Sequence, residues 1–126
     1  MTTEEKVEII RETAWAVRQR FVPGYLEKVY ENALGHRLEK RGLQVRHQVP
    51  IVVRDEDGFV VGDYIADLLV DDEILIEIKA TEALHPKHLA QVLNYLKATG
   101  LKHGILINFG GQRFEIKKLI STPNGQ

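Results

Sequence analysis

The stretch IADLLVDDEILIEIKA, residues 65–80, decides the fold. Two apolar runs flank three consecutive acids, Asp71, Asp72 and Glu73, a pattern that predicts a tight hairpin. With Val70 paired to Ile74, the register sets Asp67 opposite Glu77 and Ile65 opposite Lys79, so Asp67, Glu77 and Lys79 share one face. The other face carries Ala66, Leu68, Val70, Ile74, Ile76 and Ile78, all apolar, which marks both strands as central in a sheet. A one-residue slip would keep Glu77 beside Lys79 but turn Asp67 away.

Carboxylates on a central strand are costly to desolvate unless a cation, a partner or water compensates them. Cross-strand acids at Asp67 and Glu77 are suited to hold Mg²⁺ through oxygen, with the Ile78 carbonyl as a further ligand. Lys79 on the same face could polarise or deprotonate an attacking water, or balance charge on a phosphate. A buried Asp67–Glu77–Lys79 ion cluster without catalytic role would have the same pattern. Glu-Ile-Lys recurs at Glu115-Ile116-Lys117, but there it alternates with Phe114, Ile116 and Leu119 on a terminal strand with no acid opposite, which predicts a solvated face.

Outward from the hairpin, helical spacing predicts a first helix from Thr2 or Thr3 to about Arg20. Pro23-Gly24 breaks it, and a second helix follows from about Tyr25 to Arg41, stopped by Gly42. Its apolar side is read as Leu26, Val29, Ala33, Leu34 and Leu38. LQVRHQVPIVV then reads as an edge or bent strand because of Pro50. After the hairpin, Pro86 opens a helix ended by Gly100, and two further strands close the chain. The expected order is α-α-β-β-β-α-β-β in one domain, residues 1–120, with a disordered tail over 121–126.

The chain has 126 residues, 44% apolar and 28% charged, ordinary for a globular protein. Seventeen Lys and Arg against eighteen Asp and Glu leave a formal charge of -1, so any hold on nucleic acid depends on local patches. No cysteine is present, which excludes disulfides, thiolate nucleophiles and cysteine-bound zinc or iron–sulfur clusters. No apolar run approaches the roughly 20 residues of a membrane span, and the charged start lacks the centre of a signal peptide. A cytoplasmic protein with no membrane partner is expected.

An acid on one strand, a hairpin, then Glu-x-Lys on the next resembles the PD-(D/E)xK nuclease superfamily. Gly24-Tyr25-Leu26-Glu27-Lys28-Val29-Tyr30 is similar to the Gly-x-x-Glu-x-x-Tyr signature of the GxxExxY proteins within it. Gln91-Val92-Leu93-Asn94-Tyr95 resembles the Gln-x-x-x-Tyr motif of RecB-like nucleases. The resemblance spans roughly Val22 to Ile120. It implies an α/β, restriction-endonuclease-like fold, a mixed central sheet flanked by helices. Asp67, Glu77 and Glu27 would be metal ligands, with the Ile78 carbonyl, and Lys79 the catalytic lysine. Gln91 and Tyr95 would contact substrate, as would Tyr30, which is read either as a core aromatic or as a support for Glu27. The naming proline is absent before Asp67, and Asp63 is a competing acid. The function implied is Mg²⁺-dependent hydrolysis of a phosphodiester, with Mn²⁺ able to substitute, most readily in DNA. The alternative is a scaffold that keeps the fold and binds nucleic acid or protein. A homodimer or a protein partner would help to hold a long substrate, and Lys87, Lys97, Lys102 and Arg113 are candidate phosphate contacts.

Overall fold

Thr2 caps the first helix: its hydroxyl accepts the Glu5 N–H at 3.1 Å, while the Glu5 carboxylate accepts the Thr2 N–H at 3.0 Å. This reciprocal pair starts α1 (Thr3–Arg20), in a computed structural model that describes residues 1–122. The expected tail lies, from residue 123 on, outside the described residues. Its first residue, Ser121, donates its N–H to the Lys102 carbonyl at 2.8 Å.

The second helix, α2 (Glu27–Lys40), starts two residues later than expected. Leu26 is its N-cap and is 81% exposed, so it leaves the apolar face predicted for it. Tyr30, Leu34 and Leu38 are the fully buried apolar positions, and Glu31 and Gly35 are buried with them. Gly42, at φ 91°, turns the chain out of the helix.

The strands follow as β1 (Val45–Arg54), β2 (Val60–Val70) and β3 (Ile74–Lys79). Next come α3 (Pro86–Thr99), β4 (His103–Asn108) and β5 (Glu115–Ile120), giving the expected order. The five strands lie in chain order, antiparallel except for β3 and β4, which α3 joins as a parallel pair. Pro50 therefore sits on an edge strand, where its missing donor costs least.

Each face of this mixed sheet is covered. Ile74, Ile76, Ile78, Ile105 and Ile107 pack with Ile10, Ala14 and Val17 of α1 and Tyr30, Leu34 and Leu38 of α2. Leu69, Leu75 and Leu106 pack with Val92, Tyr95 and Leu96 of α3. Each fully buried Ile or Leu contributes about 2 kcal/mol. The exposed Arg41–Glu12 pair, at 3.4 Å, contributes at most about 1 kcal/mol, so burial decides the layering.

The hairpin turns as read, with Val70 paired to Ile74 and the tip at Asp71-Asp72-Glu73. Asp71 and Asp72 both take φ 52°, a conformation their short polar side chains tolerate. Lys6 of α1 pairs with Asp71 at 3.2 Å and Glu73 at 2.8 Å, and the Thr3 hydroxyl donates to Glu73. The acidic tip is thus bound back onto the first helix. Two details of the reading are corrected. Ile65 and Lys79 form no ladder pair, because the β2–β3 ladder ends at Leu68↔Ile76, and Ala66 packs with the α3 cluster, not with Leu68. Among the described residues no helix is long and apolar enough to cross a membrane.

Candidate functional site

The β2–β3 ladder holds three pairs, Val70↔Ile74, Leu69↔Leu75 and Leu68↔Ile76, and stops there. Beyond it, β2 continues paired only to β1, and β3 is paired to β4. The strands fork at the position where Asp67 faces Glu77. At the fork the side chains replace the ladder: the Asp67 N–H donates to Glu77 Oε1 at 3.0 Å, and the Ile78 N–H donates to Asp67 Oδ2 at 2.7 Å.

Each carboxylate therefore spends one oxygen on the opposite strand. Among the described residues, Asp67 Oδ1 and Glu77 Oε2 accept no hydrogen bond. Glu77 is 5% exposed, and burial, then the Asp67 charge, pushes its pKa up to about 8. Burial likewise raises Asp67, against the Ile78 hydrogen bond; Glu31 and Glu27 add to the rise. Two acids held together in a low-dielectric gap repel each other, and keeping a proton on one of them relieves that repulsion.

Lys79 ends β3, half-buried, opposite Asn108 of β4, and its charge favours ionisation of both acids. Gly110 fixes this strand end. A Cβ there would lie 2.4 Å from the carbonyl carbon of Ala80, backbone against backbone, so no side chain can move aside. Gly110→Ala is expected to destabilise the fold by about 1–3 kcal/mol, measured by chemical denaturation.

The third helix closes the site from above the sheet. His85 caps it, its Nδ1 accepting the Lys87 N–H at 3.1 Å while His88 Nδ1 accepts the His85 N–H at 3.0 Å. Both histidines are thus capping residues. Gln91 and Tyr95 lie one turn apart on the inner face. Among the described residues Gln91 Oε1 is buried with no hydrogen-bond partner, and Tyr95 is pushed up to about 12 by burial and the Glu77 charge, which keeps its hydroxyl protonated. Tyr64 of β2 packs its half-exposed ring against Tyr95, centroids 5.5 Å apart.

The remaining sites fall differently. Glu27 is exposed at the first position of α2, and its charge reaches Asp67 and Glu77. Among the described residues no three of Asp, Glu and His converge on one point. Tyr30 is fully buried, stacked on Phe109 at 4.8 Å. Its hydroxyl donates to the Val22 carbonyl at 2.9 Å and accepts the Tyr25 N–H at 3.3 Å. It braces the turn ahead of Glu27 and has no surface to offer a substrate. Asp63 is exposed and pairs with Val52, away from the fork. Glu115 is less solvated than expected, for it accepts from the Leu84 N–H and Asn108 Nδ2, both at 3.2 Å. Of the four basic candidates only Lys87 stands at the α3 start. Lys97 and Lys102 lie at the opposite end of that helix, and Arg113 lines an open cleft with Glu82 and Glu115.

Sequence reading missed Glu31, Gln48 and His47. Glu31 is 3% exposed, accepts from Gln48 Nε2 at 2.7 Å, and lies 3.2 Å from His47 Nδ1. Its signal was present: it stands four residues after Glu27, hence on the same side of the helix.

The donor set at the fork fits a hard divalent cation. It offers one free oxygen each from the buried Glu77 and the half-buried Asp67. The Ile78 carbonyl faces the same gap, because an extended residue points its N–H and C=O to one side.

No curated protein matches the sequence. The solved structure of SSO0001 is 20% identical with a TM-score of 0.60, over 75% of this chain and 50% of that one. The alkaline exonuclease LHK-Exo from Laribacter hongkongensis is 16% identical with a TM-score of 0.55, over 77% of this chain and 57% of that one. The chain thus spans little more than half the length of these structures, which share its restriction-endonuclease-like fold. The model of the PD-(D/E)XK nuclease superfamily matches residues 4–119, while the finer likeness to GxxExxY proteins rests on their motif alone. Nearly the whole length is covered, and the chain belongs to the PD-(D/E)XK nuclease superfamily.

Proposed function

We propose that the protein is a metal-dependent nuclease that hydrolyses phosphodiester bonds, with DNA the first substrate to test. The observation that carries this reading is the pair of acids at the strand fork, Glu77 buried and Asp67 half-buried, each with one oxygen free, beside a lysine. Asp67, Glu77 and the Ile78 carbonyl would hold Mg²⁺, or Mn²⁺ in its place. When bound, the ion supplies positive charge at the scissile phosphate and lowers the pKa of water.

The chain's own groups do the rest. Lys79 orients the attacking water and offsets charge gathering on the phosphate. Gln91 and the protonated Tyr95 hydroxyl hold the substrate backbone from α3, and Lys87 adds phosphate attraction at the rim. Glu27 contributes negative charge at the site's edge and draws the ion toward it.

One observation favours a second reading, a scaffold without turnover. The crossed hydrogen bonds of Asp67 and Glu77 act as a clasp between strands, and among the described residues no third acid converges there. The test is a Mn²⁺ titration by calorimetry, paired with cleavage assays on single- and double-stranded DNA and on RNA, for wild type and Asp67→Asn. Binding and cleavage by wild type, with both lost by at least about 10²-fold in a folded Asp67→Asn, support the nuclease. Wild type that neither binds Mn²⁺ nor cleaves any of the three substrates leaves the scaffold.

A further inference from the structure

Glu31 is a buried carboxylate that the proposed chemistry does not use. Desolvating such a group costs several kcal/mol unless it is well bonded. Here its bonds run to one place: Gln48 Nε2 at 2.7 Å, His47 Nδ1 at 3.2 Å, and the exposed Lys28 Nζ at 3.4 Å. Gln48 has φ 54°, a left-handed conformation that costs a residue with a side chain about 1–2 kcal/mol.

That strained residue stands at a gap in the β1–β2 pairing, with the register unchanged on either side of it. His47 pairs with Leu68 and Val49 with Ala66, so Gln48 lies across from Asp67 without pairing to it. The same point breaks the alternation of β2. Leu68 packs under α1 and α2, Ala66 packs under α3, and Asp67 between them is left to reach sideways into the fork, where its carboxylate accepts the Ile78 N–H. A regular strand would have sent Ala66 and Leu68 to one face.

We propose that Glu31 is a positioning residue, which holds the Gln48 distortion of β1 from α2 and thereby sets the Asp67 carboxylate in the fork. The assignment rests on the metal-site reading only for its consequence, since the placement of Asp67 can be measured in the metal-free protein. Because Glu31 acts through hydrogen bonds, a carboxamide with the same reach should serve. The side chain introduced by Glu31→Gln would accept from Gln48 through its oxygen and donate to a neutral His47 through its nitrogen.

The experiment measures amide hydrogen exchange and Mn²⁺ affinity in Glu31→Gln, Glu31→Ala and Gln48→Ala, the last keeping the buried acid should Glu31→Ala fail to fold. In the alanine variants the Ile78 amide is expected to lose protection by about tenfold or more relative to the β4 amides, and Mn²⁺ affinity to fall about 10–100-fold. Glu31→Gln should keep both within about threefold. A uniform loss of protection across the sheet, with Mn²⁺ binding unchanged, would show a purely structural acid and overturn the proposal. Loss in Glu31→Gln equal to that in Glu31→Ala would also overturn it, because the charge itself would then be needed. If wild type binds no Mn²⁺, the metal reading fails, while the Ile78 exchange still decides whether Glu31 places Asp67.

Discussion

Glu77→Gln should raise the melting temperature of the metal-free protein at pH 8 by roughly 10 °C while reducing cleavage by about 10²-fold or more. Glu77 titrates near 8 in the fold instead of near 4.5, because it is buried and faces Asp67. Between those values the folded protein keeps a proton that the unfolded chain has released, so stability falls as pH rises through that window and levels above 8. At about 1.4 kcal/mol per unit, the loss at pH 8 is on the order of 4 kcal/mol. Glutamine cannot ionise, yet its oxygen can still accept the Asp67 N–H, so the variant should lose the part of the fall that Glu77 causes, keep the part that the raised Asp67 brings, and match wild type at pH 4.5. Thermal denaturation in chelator at half-unit intervals of pH reads this directly. Added Mg²⁺ should reverse the fall in wild type and leave Glu77→Gln unmoved.

Lys79→Ala should lower kcat by about 10²–10⁴-fold with little change in melting temperature. The ammonium group stands beside the acids and favours their ionised forms, but it is half-exposed at a strand end and carries no packing that the core depends on. Its loss removes a positive charge from beside a cation site, so Mn²⁺ affinity should hold or tighten. Single-turnover cleavage together with calorimetry separates the two quantities. A variant that loses Mn²⁺ binding and turnover together would place Lys79 in building the site rather than in the chemical step.

The hairpin was legible because two signals agreed: the alternation of the Ile74–Ile78 face and an acidic tip that can only lie in solvent or against a cation. From Val70↔Ile74 alone, the facing of Asp67 and Glu77 followed. What the pattern could not carry was the fork. Strand period assumes that a strand stays regular, and β2 is irregular at the one residue of interest, because a distortion on β1 and an acid on α2 act there from distant parts of the chain. Ala66 was therefore given the wrong face. Tyr30 shows a different limit: spacing put it one turn from Glu27, but only the Val22 carbonyl and the Phe109 ring explain where its hydroxyl and face go. Gln91 and Tyr95 were placed by helical spacing, which no distortion of α3 disturbs.

Strand order that copies chain order has a consequence for how the molecule is made. Every strand meets its sheet neighbour as soon as that neighbour leaves the synthesis machinery, and the longest wait within the sheet is the α3 crossover between β3 and β4. The first helix is the exception. Lys6 closes onto Glu73 across 67 positions, and the core side chains of α1 rest on β3 and β4. The first helix can dock on α2, its neighbour in the chain, before the sheet exists, but its Lys6–Glu73 contact cannot close until the β2–β3 hairpin has formed, so that contact should report a late stage of folding.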